Sequence, residues 1–179
     1  MENHFEEIWY LREQSERIKL IEVHEKRILE KRKTMKMNFN SDLLYNEAKS
    51  SFIFGNFISA AITFYLSIEQ YLLWKNQAKK KQILMTLEWP DAKKIFKEAL
   101  ENKFINENLK RVLTLYVEGC RDQIMHPKRI DHLSLVGLRK TSKNTTSFGK
   151  EGDPAVYGGP LACAKRALDL LFQILEFNC

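Results

Sequence analysis

Long stretches of this chain contain no residue that ends a helix, because its 179 residues include only seven glycines and four prolines. Turn-rich β folds need both residue types often, so they are disfavoured here. Within these stretches apolar residues recur at spacings of three and four, which is the pattern of one helical face. Apolar residues make up 44% of the chain, enough to fill one core. We therefore predict an all-α protein with a single domain over residues 1–179.

The apolar pattern predicts a bundle of about five to six helices. The first is a long N-terminal helix over about residues 3–34. Asn40 or Ser41 is predicted to cap the second helix, which should end near Gly55 and Asn56. The other predicted helices cover 57–78, from about Pro90 to Asn102, from about 106 to His126 where Pro127 ends the helix, and 161–177. Residues 134–159 lack periodicity and predict a long loop before the last helix.

The stretch Ser50–Ile68 is uncharged and raises the question of a membrane span, which needs about 20 apolar residues. Small, weakly polar residues recur at every fourth position along it and form a stripe on one helical face. Asn56, Glu69 and the polar remainder of the chain favour a central helix in a soluble bundle. We therefore expect no membrane partner.

The three cysteines, Cys120, Cys163 and Cys179, are odd in number and widely spaced. They fit neither a disulfide framework nor a paired zinc motif. The segment Met1–Glu7 is acidic, unlike the basic start of a secretory signal. Reduced cysteines and a cytoplasmic location are predicted.

A net charge of +6 and a pI near 9.2 indicate an anionic partner, with nucleic acid the leading candidate. The sequence lacks the GxxxxGK[ST], GxGxxG, GxSxG and HExxH motifs, which makes nucleotide-binding, serine-hydrolase and zinc-protease functions weak hypotheses. Its four histidines are not at ligand spacing with one another or with the cysteines. We predict no metal and no cofactor.

Side chains suited to catalysis lie close together in one segment of the sequence, Arg121–Lys128. On an α-helix Arg121 and His126, five residues apart, would diverge by roughly 140°. Pro127 biases His126 away from α geometry, which lets the imidazole turn back towards Arg121. Asp122 precedes His126 by four residues, so its carboxylate can orient the ring and fix the tautomer.

These residues resemble the signature of the HEPN domain family: an arginine, usually a polar residue, a short spacer and a histidine, matched here by Arg121, Asp122 and His126. The resemblance extends to the segment 55–61 leading to Glu69, and to Phe104 and Ile105 before the motif helix. It covers about residues 41–130. It implies a HEPN-like helical bundle of that core plus the C-terminal helix, with residues 1–34 as an N-terminal extension.

The resemblance implies a metal-independent endoribonuclease that works as a homodimer with facing active sites. Many such proteins are toxins or antiviral effectors, so an antitoxin or regulatory protein is an expected partner. His126 would move protons near neutral pH, and Arg121 would stabilise charge on the phosphoryl oxygens. Five cations that follow in the chain are expected to bind the RNA backbone: Lys128, Arg129, Arg139, Lys140 and Lys143.

Other interpretations stay open. The chain is alternatively a non-catalytic RNA- or protein-binding module, or a purely structural interaction protein. Arg121 and His126 are then a cationic helix end. Glu69 is either a buried partner for a cation, with Arg121 the candidate, or an exposed side chain. Arg17 and His24 also match the arginine-to-histidine spacing, but they lie in a charged helix without the polar follower or the proline, and we interpret that match as coincidence.

Overall fold

Six α-helices and a small two-stranded sheet make up the computed structural model, which describes residues 2–32, 35–80, 90–121, 138–140, 146–148 and 159–178. The helices are α1 (Glu2–Arg32), α2 (Phe39–Ile53), α3 (Phe57–Lys80), α4 (Ala92–Glu101), α5 (Glu107–Tyr116) and α6 (Pro160–Phe177). A five-residue π-helical segment, Val117–Arg121, continues α5 and is called the π turn below. The predicted all-α bundle of five to six helices is confirmed.

The central helix is α3, which packs against α2, α4 and α6. Ala60 and Ala61 are fully buried, and their small side chains allow close approach of the neighbouring helices. Larger side chains on the same helix, Phe64, Ile68 and Leu72, are also fully buried. The core therefore surrounds α3, in keeping with a sequence that carries a single charge, Glu69, before Lys75.

Helices α2 and α3 form a tight antiparallel pair. The connection turns at Gly55, whose φ of +82° is in the region that favours glycine. Two hydroxyl groups cross between the helices: Ser41 donates to the Ser67 carbonyl and Ser67 donates to the Ser41 carbonyl, each at 2.8 Å. The break at Gly55 divides the uncharged stretch between two helices. None of the helices in the described ranges is long and apolar enough to cross a bilayer.

The first helix is joined to the bundle through two buried polar side chains. Arg17 donates from Nε to the Ile53 carbonyl at 3.0 Å. His24 pairs with Asp169 of α6 at 3.1 Å and stacks on Phe172 with ring centroids 5.0 Å apart. Arg17 and His24, the second pair with the arginine-to-histidine spacing, thus both attach α1 to its neighbours. This structural role agrees with the interpretation that their spacing is a coincidence.

Two predicted helix starts are wrong. Helix α2 begins at Phe39 after Asn38, and Ser41 lies inside it because its hydroxyl bonds to α3 rather than to the free N–H groups of the first turn. Helix α4 begins at Ala92, with Asp91 as the cap that accepts from the Lys93 N–H. Pro90 therefore precedes the helix. The predicted ends near Gly55 and at Asn102 are confirmed.

The region predicted as a loop, 134–159, contains regular structure. Strand β1 (Leu138–Lys140) pairs antiparallel with β2 (Thr146–Phe148), with Arg139 opposite Ser147. The prediction of an unstructured loop is therefore wrong for these six residues. Strands as short as these do not produce a periodic sequence pattern, so the sequence could not predict them.

Candidate active site

Arg121 is the last residue of the π turn, and this winding sets the direction of its side chain. An α-helix would separate residues five apart by roughly 140°, whereas i→i+5 hydrogen bonding brings them onto similar sides. Tyr116 and Arg121 are five apart, and both contact Tyr65 of α3. The sequence pattern predicted α winding through this segment, and that prediction is wrong for Val117–Arg121.

Tyr65 is the central residue of the site, because it contacts both Tyr116 and Arg121. Its ring is fully buried and stacks on Tyr116, with centroids 5.7 Å apart and planes 23° from parallel. The guanidinium carbon of Arg121 lies 5.9 Å from the centroid of the same ring, which is a cation–π distance. Tyr116 in turn donates from its hydroxyl to the Ala61 carbonyl at 3.1 Å. These contacts fasten the end of the π turn to α3.

Glu69 lies one turn beyond Tyr65 on α3 and is 2% exposed. The Tyr65 hydroxyl donates to its Oε1 at 2.5 Å. Of the two alternatives for Glu69, the structure supports burial, and the Tyr65 hydroxyl is one of its partners. The Glu69 carboxylate, the Tyr65 ring and the Arg121 guanidinium thus lie in series between α3 and the π turn. The hydrogen bond to Glu69 polarises the Tyr65 ring, and the polarised ring stabilises the positive charge of Arg121.

The remaining predicted site residues divide into two groups. Asp122, His126, Lys128, Arg129 and Lys143 lie outside the described residues. Arg139 and Lys140 belong to β1. Arg121 is therefore the one predicted catalytic residue within the described ranges.

Tyr65 is the residue that sequence reasoning missed. Its signal was present: a tyrosine four residues before Glu69, which is the only charged residue of α3 before Lys75. Aromatic residues on an apolar helix are ordinary core residues, so the pattern does not by itself single out a site.

Cys120 lies immediately before Arg121 and is fully buried. Burial, then its hydrogen bond to Cys163 and the charge of that neighbour, raise the pKa of the Cys120 thiol far above its ordinary value, while Arg166 acts in the opposite direction. A fully buried cysteine behaves as a small apolar residue, and Cys120 therefore packs the core beside the site.

No cluster of three or more His, Cys, Asp or Glu side chains at metal-binding spacing occurs among the residues described. The groups gathered at the site are instead a cation, a phenol and a carboxylate. A guanidinium held in this way suits an oxyanion, above all a phosphoryl group, because its planar N–H donors match the oxygen geometry.

Comparisons with protein-family models, curated proteins and solved structures give no match to this chain. The chemistry of the residues at the π turn is therefore the basis for a functional interpretation.

Proposed function

We propose that this protein is a metal-independent endoribonuclease of the HEPN type, with Arg121 and His126 as its catalytic residues. The observation that carries the proposal is the fixed position of Arg121 at the end of the π turn, over a tyrosine that is hydrogen-bonded to the buried Glu69. π-helical segments inside α-helices are frequent at functional sites. The π turn ends at Arg121, which is the first residue of the arginine-to-histidine motif.

The sequence of the motif also bears on the pairing of its two residues. Pro127 biases His126 away from α geometry, so a spacing of five residues does not require the Arg121 and His126 side chains to diverge. This supports a pairing of Arg121 with His126 in the active protein.

In the proposed reaction the ribose 2′-oxygen attacks the adjacent phosphorus. His126 takes the 2′-hydroxyl proton as the new oxygen–phosphorus bond forms, and the bond from phosphorus to the 5′-oxygen breaks. The departing 5′-oxygen receives a proton, leaving a 2′,3′-cyclic phosphate and a 5′-hydroxyl. Arg121 stabilises the charge that develops on the non-bridging oxygens, and Asp122 orients His126. DNA is not cleaved, because it lacks the 2′-hydroxyl group that attacks the phosphorus.

The wider biological proposal follows from the same family resemblance. The protein acts in the cytoplasm as a homodimer with facing sites, under the control of an antitoxin or regulatory protein, as a toxin or antiviral effector. Its net charge of +6 favours RNA association through the backbone phosphates.

Incubation of purified protein with RNA in excess chelator tests the proposal. The wild type should release fragments with 2′,3′-cyclic phosphate ends, and Arg121→Ala or His126→Ala should slow cleavage by about 100-fold or more. Arg111→Ala is a matched control, since Arg111 is an exposed arginine on α5 that contacts Asn108. Intact RNA with every variant would reject the enzyme; RNA binding without cyclic ends would favour the non-catalytic module.

A further inference from the structure

Helix α4 has an apolar face against the core and a basic face in solvent. Lys93, Lys94 and Lys97 are all exposed, and the α-helical period places them within one sector of about 100°. Spacings of three and four residues bring Lys97 beside each of the other two. We call these three residues the α4 lysine face. The side chains on the opposite side of the helix are buried: Ala92, Ile95, Phe96 and Ala99.

The α4 lysine face has no ion-pair partner in the described part of the chain. Two nearby acids have other roles. Glu98 is paired with Lys80 of α3 at 3.0 Å, and the Asp91 side chain caps the helix by accepting from the backbone N–H of Lys93. Glu101, the remaining acid of α4, lies one turn beyond the face and makes no ion pair within the same ranges. Three positive charges are therefore left together in solvent.

The position of these lysines works against the stability of the helix. Like charges three and four residues apart repel one another. Cations are also disfavoured in the first turn of a helix, where the helix dipole is positive. Lys93 and Lys94 occupy that turn, and no acid accompanies them there. An anionic partner would relieve both unfavourable terms, and the net charge of +6 favours such a partner.

Helix α4 is held against the helix that carries the candidate active site. The Phe96 ring meets the Tyr65 ring edge-on, with centroids 6.5 Å apart and planes at 89°. Tyr65 is the residue whose ring contacts Arg121. Asn76 of α3 donates from its side chain to the Ile95 carbonyl at 3.1 Å. The α4 lysine face therefore has a fixed position on the helix that packs beside Tyr65.

We infer that the α4 lysine face binds the phosphate backbone of an RNA strand, outside the site at Arg121. The identity of the ligand rests on the proposed function. Lysine ammonium groups contact phosphates as flexible point charges, independently of base sequence.

A protein partner or a membrane fits this face less well. Protein interfaces centre on aromatic or apolar anchors and are depleted in lysine, and a membrane-surface helix needs a free apolar face. None of the exposed large apolar side chains in the described ranges belongs to α4. Its apolar face is already used in the core. Charge is thus what the exposed face offers, and a polyanion is the ligand that matches it.

The experiment measures binding of an RNA oligonucleotide with 2′-O-methyl groups throughout, which the proposed reaction cannot cleave. The α4 glutamine variant combines Lys93→Gln, Lys94→Gln and Lys97→Gln. The control glutamine variant has the same net charge and changes three exposed lysines outside α4: Lys19→Gln, Lys36→Gln and Lys165→Gln. An α4 arginine variant replaces the lysine face with three arginines and keeps the charge. Affinities are measured over a series of salt concentrations, with thermal melting of each protein.

The α4 glutamine variant should have a slope of log affinity against log salt that is shallower by about 2, because each neutralised phosphate of a single strand contributes about 0.7. At 0.1 M salt this change corresponds to a loss of affinity of about 100-fold. The control glutamine variant should lose less than about 5-fold, since its charges are scattered. The α4 arginine variant should keep the wild-type slope. The melting temperature of the α4 glutamine variant should be unchanged or higher, because repulsion within the helix is relieved.

Equal losses in the two glutamine variants, an unchanged salt slope in the α4 glutamine variant, or loss of binding in the α4 arginine variant would each overturn the inference. Weaker binding accompanied by a lower melting temperature would do the same, and so would a wild type without affinity for RNA at low salt. The binding assay is independent of cleavage.

Cleavage assays on the same proteins separate this inference from the proposed function. A wild type that binds RNA through the α4 lysine face but does not cut it refutes the proposed enzyme and leaves the inference standing. A wild type that cuts RNA, with an α4 glutamine variant that binds and cuts equally well, refutes the inference alone.

Discussion

The hydroxyl of Tyr65 donates to the buried carboxylate of Glu69 at 2.5 Å, and this bond joins the core of the bundle to its candidate active site. Both residues belong to α3, one turn apart, and Glu69 is 2% exposed. A carboxylate in such a place needs hydrogen bonds to remain charged.

Tyr65→Phe should therefore lower the free energy of unfolding by about 2–3 kcal/mol, because a buried charged group loses a donor. Tyr116→Phe is the comparison: it removes a hydrogen bond to the neutral Ala61 carbonyl and should cost about 1 kcal/mol. Urea denaturation of the three proteins measures both values. Equal losses for the two variants would contradict a charged Glu69.

The attachment of α1 gives a second prediction. Arg17→Met removes the hydrogen bond to the Ile53 carbonyl and the contact of the guanidinium with the Phe57 ring, 5.5 Å from its centroid. The free energy of unfolding should fall by about 2–3 kcal/mol. Arg12→Met, on the same helix, breaks an exposed pair with Glu16 and should cost less than about 0.5 kcal/mol. If the two variants unfold at the same urea concentration, Arg17 does not hold α1.

Tyr45 predicts how stability depends on alkaline pH. Burial, then its hydrogen bond to Glu25 and the charges of Glu25 and Asp42, raise the pKa of Tyr45 well above its ordinary value of 10.0. Above pH 10 the unfolded phenol ionises while the folded one stays neutral, so the folded state holds more protons and stability falls as pH rises. The slope from this one group approaches about 1.4 kcal/mol per pH unit.

Tyr45→Phe should remove that slope, although it also loses the bond to Glu25 and is less stable at neutral pH. Urea unfolding between pH 7 and 11 checks the difference. The wild-type and variant curves should converge above pH 10. Curves that stay parallel would show that another group controls the alkaline loss; the Cys120 thiol, whose pKa burial also raises, contributes in the same direction in both proteins.

Gly55 provides a test of backbone strain alone. A Cβ added there would meet only the Phe57 Cζ, at 4.0 Å, so the cost of Gly55→Ala comes from the positive φ. We expect a loss of about 1–2 kcal/mol in the free energy of unfolding. Gly55→Asn should lose less, because asparagine tolerates this conformation better. Equal stability of the alanine variant and the wild type would mean that the connection relaxes to a negative φ.

The sequence could predict α3 and α6 because their apolar residues recur over several turns, and packing then follows the same faces. It predicted Asn40 or Ser41 rather than Asn38 as the cap of α2, since residues of these types are all good capping residues. That choice depends on Ser67, which lies 26 residues away from Ser41 and is invisible to local pattern.

The candidate site was predictable only in part, for a similar reason. Arg121 was identified from the types of residue around it. The contact of Arg121 with Tyr65 depends on π winding and on the packing of the π turn against α3. No local sequence pattern predicted that winding.

The π turn makes the position of Arg121 a matter of chain length as well as of residue type. A wider turn accommodates one residue more than an α-helical turn of the same span, so Val117–Arg121 behaves as a helix with a single-residue insertion. Removal of a single residue, such as Gly119, would let the ladder return to α winding and leave Tyr116 and Arg121 four residues apart, a spacing that shares one face of an α-helix. A frame-preserving deletion of one codon in the π turn would thereby keep Arg121 on the side of Tyr65, whereas the same deletion in the α-wound part of α5 would rotate every later side chain.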